Sequence, residues 1–151
     1  MKDVRLKEIM VTKVIAAHVE EPLSAVEAKF RKYGIRHLPV VDGEKRVVGM
    51  FTQRDLLRCL PPRKTEDGYV FDKEQMDRFI LKYVMAQDPV VLGPEDTLGH
   101  VVDIMARDKF GCIPITSKDR VLVGIVTQID VLKYLSRWLR EHPEQRQKGE
   151  A

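Results

Sequence analysis

Gly49-Met50-Phe51-Thr52-Gln53-Arg54-Asp55 returns later in the chain as Gly124-Ile125-Val126-Thr127-Gln128-Ile129-Asp130, 75 residues on. Each string leaves an apolar run through Gly and Thr and enters a polar stretch, the composition of a strand that ends where a helix begins. The same shift, without gaps, lays Leu6, Lys7 and Met10 on Leu81, Lys82 and Met85, and Glu20, Leu23 and Val26 on Glu95, Leu98 and Val101. Pro39 falls on Pro114, and Leu57 and Leu60 fall on Leu132 and Leu135. Two copies of one unit therefore fill the chain. A period this long suits a pseudo-symmetric pair that buries a shared apolar face, not a solenoid.

Within a copy the order of elements is readable. A short lead helix over Leu6 to Met10 precedes a β-rich run, Val14-Ile15-Ala16-Ala17. Leu23, Val26 and Phe30 recur at helical spacing, with Ser24 and Glu27 as a capping box and Gly34 as the stop. A hairpin follows, Leu38 to Val41 and Val47 to Phe51 around Asp42-Gly43-Glu44, and a helix from Gln53 to Leu60 closes the unit. The second copy repeats this, with Asp96 or Thr97 as cap, Leu98, Val101, Val102 and Met105 as the buried stripe, and a strand over Val121 to Val126. The expected fold class is α+β, two tandem β-α-β-β-α units. Their bounds are residues 1–60 and 80–136, with a polar linker (61–79) that ends in a helix carrying Met76 and Phe79 and running into the second copy through Ile80 and Tyr83, and a polar C-terminal tail (137–151).

Composition narrows the function. The chain has 151 residues, a net charge of +3 and 44% hydrophobic residues. That describes a soluble globular protein with a real core, and no apolar run approaches the ~18 residues of a membrane span. Its N-terminus lacks the pattern of a secretory signal. Cys59 and Cys112 are the only cysteines, without CxxC spacing, so core thiols in a reducing cytoplasm are expected. The cations Arg137, Arg140 and Arg146 are mixed with Glu141, Glu144 and Glu150, so no nucleic-acid stripe is expected. His18, His37, His100 and His142 have no metal-ligand spacing, and no catalytic motif appears.

The repeated Thr-x-x-Asp string has two readings. As structure it is a capping box, with Thr52 or Thr127 capping the helix while Asp55 or Asp130 answers the Thr amide. As chemistry, a helix start with a Thr hydroxyl favours an anion, while a carboxylate accepts ribose hydroxyls in charge-assisted bonds of about 1.5–3 kcal/mol. Phosphate on Thr and ribose on Asp describe a nucleotide.

Gly34-Ile35-Arg36-His37-Leu38-Pro39-Val40-Val41-Asp42 with Gly49 to Asp55, and Lys109-Phe110-Gly111-Cys112-Ile113-Pro114-Ile115 with Gly124 to Asp130, resemble the two signature stretches of the CBS domain family, named after cystathionine β-synthase. The resemblance covers Val4 to Leu135. It implies a pseudo-two-fold pair of CBS units and a stand-alone regulatory sensor rather than an enzyme. The implied ligand is an adenine nucleotide (AMP, ADP or ATP) or S-adenosylmethionine. A homodimer, head-to-head or head-to-tail, and an effector protein are the implied partners; an assembly module without ligand is the alternative. Carried over residue by residue, one cleft combines Ile15, Ile35, Arg36 and His37 with Thr127 and Asp130. The other combines Val90, Phe110, Gly111 and Cys112 with Thr52, Arg54 and Asp55. Pro39 and Pro114 join the site as strand residues whose ordinary place is an edge or a turn. Arg36, His37 and Arg54 have Gly111, Cys112 and Ile129 as counterparts, so the cations are unevenly divided.

Overall fold

The computed structural model describes residues 4–145. Arg146 and Glu150, read above as part of a mixed-charge tail, lie outside the described residues. The elements alternate as the repeat requires. The first copy supplies β1 (Ala17–His18), α1 (Leu23–Tyr33), β2 (His37–Val41), β3 (Val47–Thr52) and α2 (Gln53–Cys59). An intervening stretch holds β4 (Arg63–Thr65), β5 (Gly68–Val70), α3 (Lys73–Met76), α4 (Leu81–Val84) and β6 (Ala86–Gln87). The second copy gives α5 (Leu98–Asp108), β7 (Cys112–Thr116), β8 (Leu122–Thr127) and α6 (Gln128–Glu141).

Two compact bodies result, and they are not the two repeats end to end. The first-repeat body runs from Val14 to Val90 and adds Lys118–Leu122; the second-repeat body takes the chain up to Lys13, Val91–Ser117 and the chain from Val123 on. Each repeat's lead segment is built into the other repeat's body. Leu6, fully buried, packs with Leu98, Val101, Ile113, Ile115 and Val126, and its amide donates to the Asp96 carbonyl at 2.9 Å. Leu81, 1% exposed, sits among Leu23, Val26, Phe30, Leu38 and Phe51. The strand contacts obey the same exchange. Ala86 pairs with Met50 of β3, while Val11 pairs with Ile125 of β8 through reciprocal 2.9 Å bonds. The domain bounds read from the sequence, 1–60 and 80–136, cut across this exchange.

The exchange explains the glycine that opens each string. A Cβ on Gly49 would meet the Met85 sulfur and come within 3.0 Å of the Ala86 carbonyl; on Gly124 it would lie 2.7 Å from the Met10 sulfur and 3.1 Å from the Val11 carbonyl. Both glycines admit a lead segment against a strand, a structural duty that needs no ligand.

In the first-repeat body, β1, β2, β3 and β6 form one sheet in that order, with β1 parallel to β2 and the other pairs antiparallel. β1 reaches only Val40 and Val41, so at Pro39 the strand β2 has a single neighbour and loses no ladder bond to the missing N–H. Gly34 ends α1 in the left-handed conformation at φ 60°, as the stop signal required.

Several local expectations are corrected. The lead helix is one 3-10 turn, Leu6–Glu8. The strand expected over Val14 to Ala17 reduces to Ala17–His18, and Lys29 donates to the Ala16 carbonyl just outside the ladder. Ser24 and Glu27 form no capping box, because α1 starts after Pro22. The Ser24 amide instead donates to Asp77, and Glu27 pairs with Arg31. On α5 the buried stripe turns toward Ile104 (6% exposed) and away from Val102 (38%). The linker is no plain coil, since Arg63 to Val70 make a hairpin. Its expected helix breaks into α3 and α4 where Ile80 bridges to Pro22, and Ile80 and Tyr83 face solvent. The tail drawn from residue 137 begins inside α6. That helix continues because Trp138 and Leu139 extend the spacing of Leu132 and Leu135, and Trp138 stacks on His142 at the helix end. Cys59 is half-buried, whereas Cys112 is a core thiol. Among the described residues no helix is long and apolar enough to cross a membrane.

Candidate functional site

Both Thr-x-x-Asp strings do form capping boxes. Asp55 N donates to the Thr52 hydroxyl oxygen at 3.1 Å, and Thr52 N donates to Asp55 Oδ2 at 2.8 Å. The second copy repeats this at 3.3 and 2.8 Å and adds a 2.7 Å bond from the Thr127 hydroxyl to Asp130 Oδ2. The cap engages one carboxylate oxygen. Among the described residues no hydrogen bond reaches Oδ1 of Asp130, and Oδ1 of Asp55 meets Arg58 at a loose 3.8 Å. Each Asp is thus held rigidly by one oxygen and can offer the other, which a capping reading alone does not require.

The strand stretch of each signature lies beside its own string. In the first-repeat body Gln53 N donates to the Arg36 carbonyl at 2.9 Å, and His37 is directly across from Thr52 in the β2/β3 ladder. The combination implied by the resemblance, Arg36 and His37 with Thr127 and Asp130, draws on two bodies. Inside one body, the partners of Arg36 and His37 are Thr52, Arg54 and Asp55. Burial lowers the His37 pKa from its ordinary value, the positive charges of Arg36 and Arg54 lower it further, and Asp55 opposes them. The ring is therefore a neutral donor and acceptor near pH 7.

The second-repeat body has the same backbone arrangement and different side chains. Gln128 N donates to the Gly111 carbonyl at 3.1 Å, and its side-chain amide donates to the Phe110 carbonyl at 3.2 Å. Cys112 takes the place of His37. Its thiol is pushed up to about 12 by burial first and by Asp130 second. At pH 8 only about one Cys112 in 10⁴ is then a thiolate, so the folded protein should be alkylated at half-buried Cys59 and spared at Cys112. Peptide mapping after iodoacetamide treatment checks this, and equal labelling of the two would contradict it.

The remaining expected site residues divide by exposure. Ile15 and Ile35 are half-buried against the first-repeat core, while Val90 and Phe110 are 43% and 38% exposed. Pro39 and Pro114 are buried in their strands and can offer a ligand only backbone. Sequence reasoning passed over Lys133 and Tyr134 and left Arg137 in the tail; with Asp130, Glu8 and Ile9 these three line a cavity of about 220 Å³. Their signal was present, because they stand three, four and seven residues after Asp130 on one helix face. Among the described residues no group of His, Cys, Asp and Glu could hold a metal ion.

The sequence pattern of the CBS domain matches the chain twice, at residues 6–62 and 81–137. Inosine-5'-monophosphate dehydrogenase of Korarchaeum cryptofilum is 32% identical over 127 residues, which is 84% of this chain and 23% of that enzyme. The chain likewise spans only 33% and 45% of two relatives from Methanocaldococcus jannaschii. The CBS domain pair of protein MJ0100, solved in complex with 5'-methylthioadenosine and S-adenosyl-L-methionine, aligns with a TM-score of 0.73 at 22% identity, covering 89% of this chain and 97% of that one. CBSX2, solved in complex with AMP, aligns at 0.74 and 17%, covering 89% and 97%. These two likenesses show the fold.

Proposed function

The chain belongs to the CBS domain family, and from that premise we propose that it is a regulatory module that takes an adenosyl ligand, an adenine nucleotide or S-adenosylmethionine, and has no catalytic role of its own. The observation that carries this reading is the pair of Asp carboxylates, each anchored through Oδ2 in a capping box, with Oδ1 of Asp130 receiving no hydrogen bond among the described residues and Oδ1 of Asp55 met only by Arg58 at 3.8 Å. A fixed carboxylate suits vicinal ribose hydroxyls, since its orientation is settled before binding. Relatives of the same fold hold AMP, 5'-methylthioadenosine and S-adenosylmethionine, and all three share the adenosine that such a carboxylate would grip. Apolar contact to the base falls to Ile15 and Ile35 in one body and to Phe110 in the other, with Val90 exposed nearby in sequence; strand backbone at Pro39, Gly111, Cys112 and Pro114 supplies polar groups to the base edge. The place of action is a reducing compartment such as the cytoplasm.

Ligand binding should stabilise the fold. At a free concentration about 100 times the dissociation constant, one site adds about 2.7 kcal/mol, roughly 5–10 °C in Tm for a chain of this size. A thermal-shift panel of AMP, ADP, ATP, S-adenosylmethionine and GTP tests this. A rise with the adenosyl compounds and none with GTP is expected; no rise with any of them would favour an assembly module.

The protein is further proposed to be a homodimer. Leu57 on α2 and Leu132 on α6, equivalent under the repeat, are 45% and 57% exposed, and Ile129 beside Leu132 is 58% exposed. Leucines repeated at one surface position in both copies suit an isologous interface. Sedimentation at micromolar concentration should give twice the 17.4 kDa monomer mass, and Leu57→Glu with Leu132→Glu should return it to monomer. A wild-type monomer would overturn the assignment.

A further inference from the structure

We propose that the exposed face of α6 is a docking surface for an acidic amphipathic helix of a partner protein. α6 packs Val131 and Tyr134 against the second-repeat core. Its outer side presents Ile129, Leu132, Lys133, Ser136, Arg137 and Arg140 at spacings of one, three and four residues, and these line a groove of about 550 Å³. The stripe is graded along the helix. Ile129 and Leu132, 58% and 57% exposed, form an apolar end, and the exposed cations Lys133, Arg137 and Arg140 follow, about a turn apart around the small Ser136. Among the described residues no acid lines this groove and none of the three cations forms an ion pair, while Arg137 rests over the Tyr134 ring, 5.7 Å from its centroid. The acids closest along the lining are already engaged. Asp130 holds its cap through Oδ2, and Glu8, which shares the neighbouring cavity with Lys133 and Arg137, accepts from the Arg5 amide at 2.8 Å. The first copy has no such surface, because α2 stops at Cys59 and the equivalents of Ser136 and Arg137 are Pro61 and Pro62.

Charge decides the occupant. A second copy suits the apolar end at Leu132, but over the cationic end it would bring like charge, either Lys133, Arg137 and Arg140 of its own α6 or Arg54 and Arg58 beside Leu57 on its α2. Carboxylates neutralise that end instead. From Ile129 to Arg140 the stripe spans three turns, about 16 Å, the length over which one helix lies along another. An antiparallel partner sets its own N-terminus, where acidic side chains favour the dipole, against the cationic C-terminal turns of α6. The matching segment then carries Glu or Asp at j, j+3 and j+7 facing Arg140, Arg137 and Lys133, and leucines at j+8 and j+11 facing Leu132 and Ile129. A further leucine at j+4 seats over Ser136, whose small side chain leaves it room.

Fluorescence anisotropy of a labelled synthetic peptide with that pattern, titrated with the full chain, tests the surface. One peptide per chain should bind, at least about tenfold more tightly than a scrambled peptide of the same composition or polyglutamate. Arg137→Glu with Arg140→Glu should weaken it at least about tenfold, whereas Lys32→Glu with Lys64→Glu, an equal change of net charge on exposed residues of the other body, should not. All four side chains are exposed, so both variants should fold, and Tm is the control. Leu132 is common to this groove and to the contact between copies, so Leu57→Glu, which weakens that contact and leaves the groove intact, should bind the peptide at least as tightly as wild type. Polyglutamate or a single-stranded oligonucleotide bound as tightly as the patterned peptide, equal losses in the two charge-reversed pairs, or no binding in either wild type or Leu57→Glu would each overturn the assignment. The surface requires no adenosyl ligand, so its failure leaves the adenosyl reading standing.

Discussion

Replacing Leu6 by alanine is expected to destabilise the second-repeat body by about 2–5 kcal/mol, although Leu6 stands at the head of the first repeat. The side chain is fully buried among Leu98, Val101, Ile113, Ile115 and Val126, so truncation opens a cavity that a close-packed core closes only in part. Leu81→Ala should do the same to the first-repeat body, where that side chain meets Leu23, Phe30, Leu38 and Phe51. Native-state hydrogen exchange separates the two, because each body's strands report its own opening. With Leu6→Ala, protection should fall first at Ile125, whose amide bonds to the Val11 carbonyl at 2.9 Å, and later at Met50. The reverse order is expected for Leu81→Ala. Loss of protection at Met50 first in Leu6→Ala would mean that the lead segments are not exchanged.

Asp55→Ala and Asp130→Ala should each weaken adenosyl binding in their own body by 10- to 150-fold, about 1.5–3 kcal/mol of lost charge-assisted bonding. Each should also cost about 0.5–2 kcal/mol of stability, because the Thr52 or Thr127 amide loses its acceptor at 2.8 Å. The two effects can be told apart with asparagine. Asn keeps a neutral acceptor for the cap and so restores most of the stability, yet it lacks the negative charge that strengthens a bond to a ribose hydroxyl. Calorimetry and thermal unfolding on both pairs of variants check this. If Asp→Ala lowers Tm and leaves affinity unchanged, the strings are helix caps and nothing more.

The repeat made most of the architecture legible. A single ungapped offset placed α1, β2, β3 and α2 against α5, β7, β8 and α6, and each helix start at Thr52 and Thr127 is where the string put it. The exchange of lead segments was not legible, because Leu6 and Leu81 are equivalent under the offset and either core would accept either leucine. Only the backbone pairing of Val11 with Ile125 and of Ala86 with Met50 decides it. Short elements fared worst. β1 has two residues and α3 and α4 four each, too few for a period to show, and tertiary contacts such as Ile80 with Pro22 set their limits. At the candidate site, the division of residues between two clefts rests on the family resemblance, and what the sequence alone did not show is that strand pairing of His37 with Thr52 brings Arg36 and Asp55 into one body. Arg137 reads in the sequence as part of a solvated, mixed-charge tail and Lys133 is not singled out there, whereas the 14-residue α6 carries both past Asp130 on one face.

The most direct test of the central claim is titration of AMP into ¹⁵N-labelled protein while the backbone amides of Gln53, Asp55, Gln128 and Asp130 are followed. A saturable shift at Gln53 and Asp55, at Gln128 and Asp130, or at both pairs, abolished by Ala in place of the corresponding Asp, is the expected result. Amides at both strings that stay still at millimolar AMP and at millimolar S-adenosylmethionine would contradict an adenosyl site at the Thr-x-x-Asp strings.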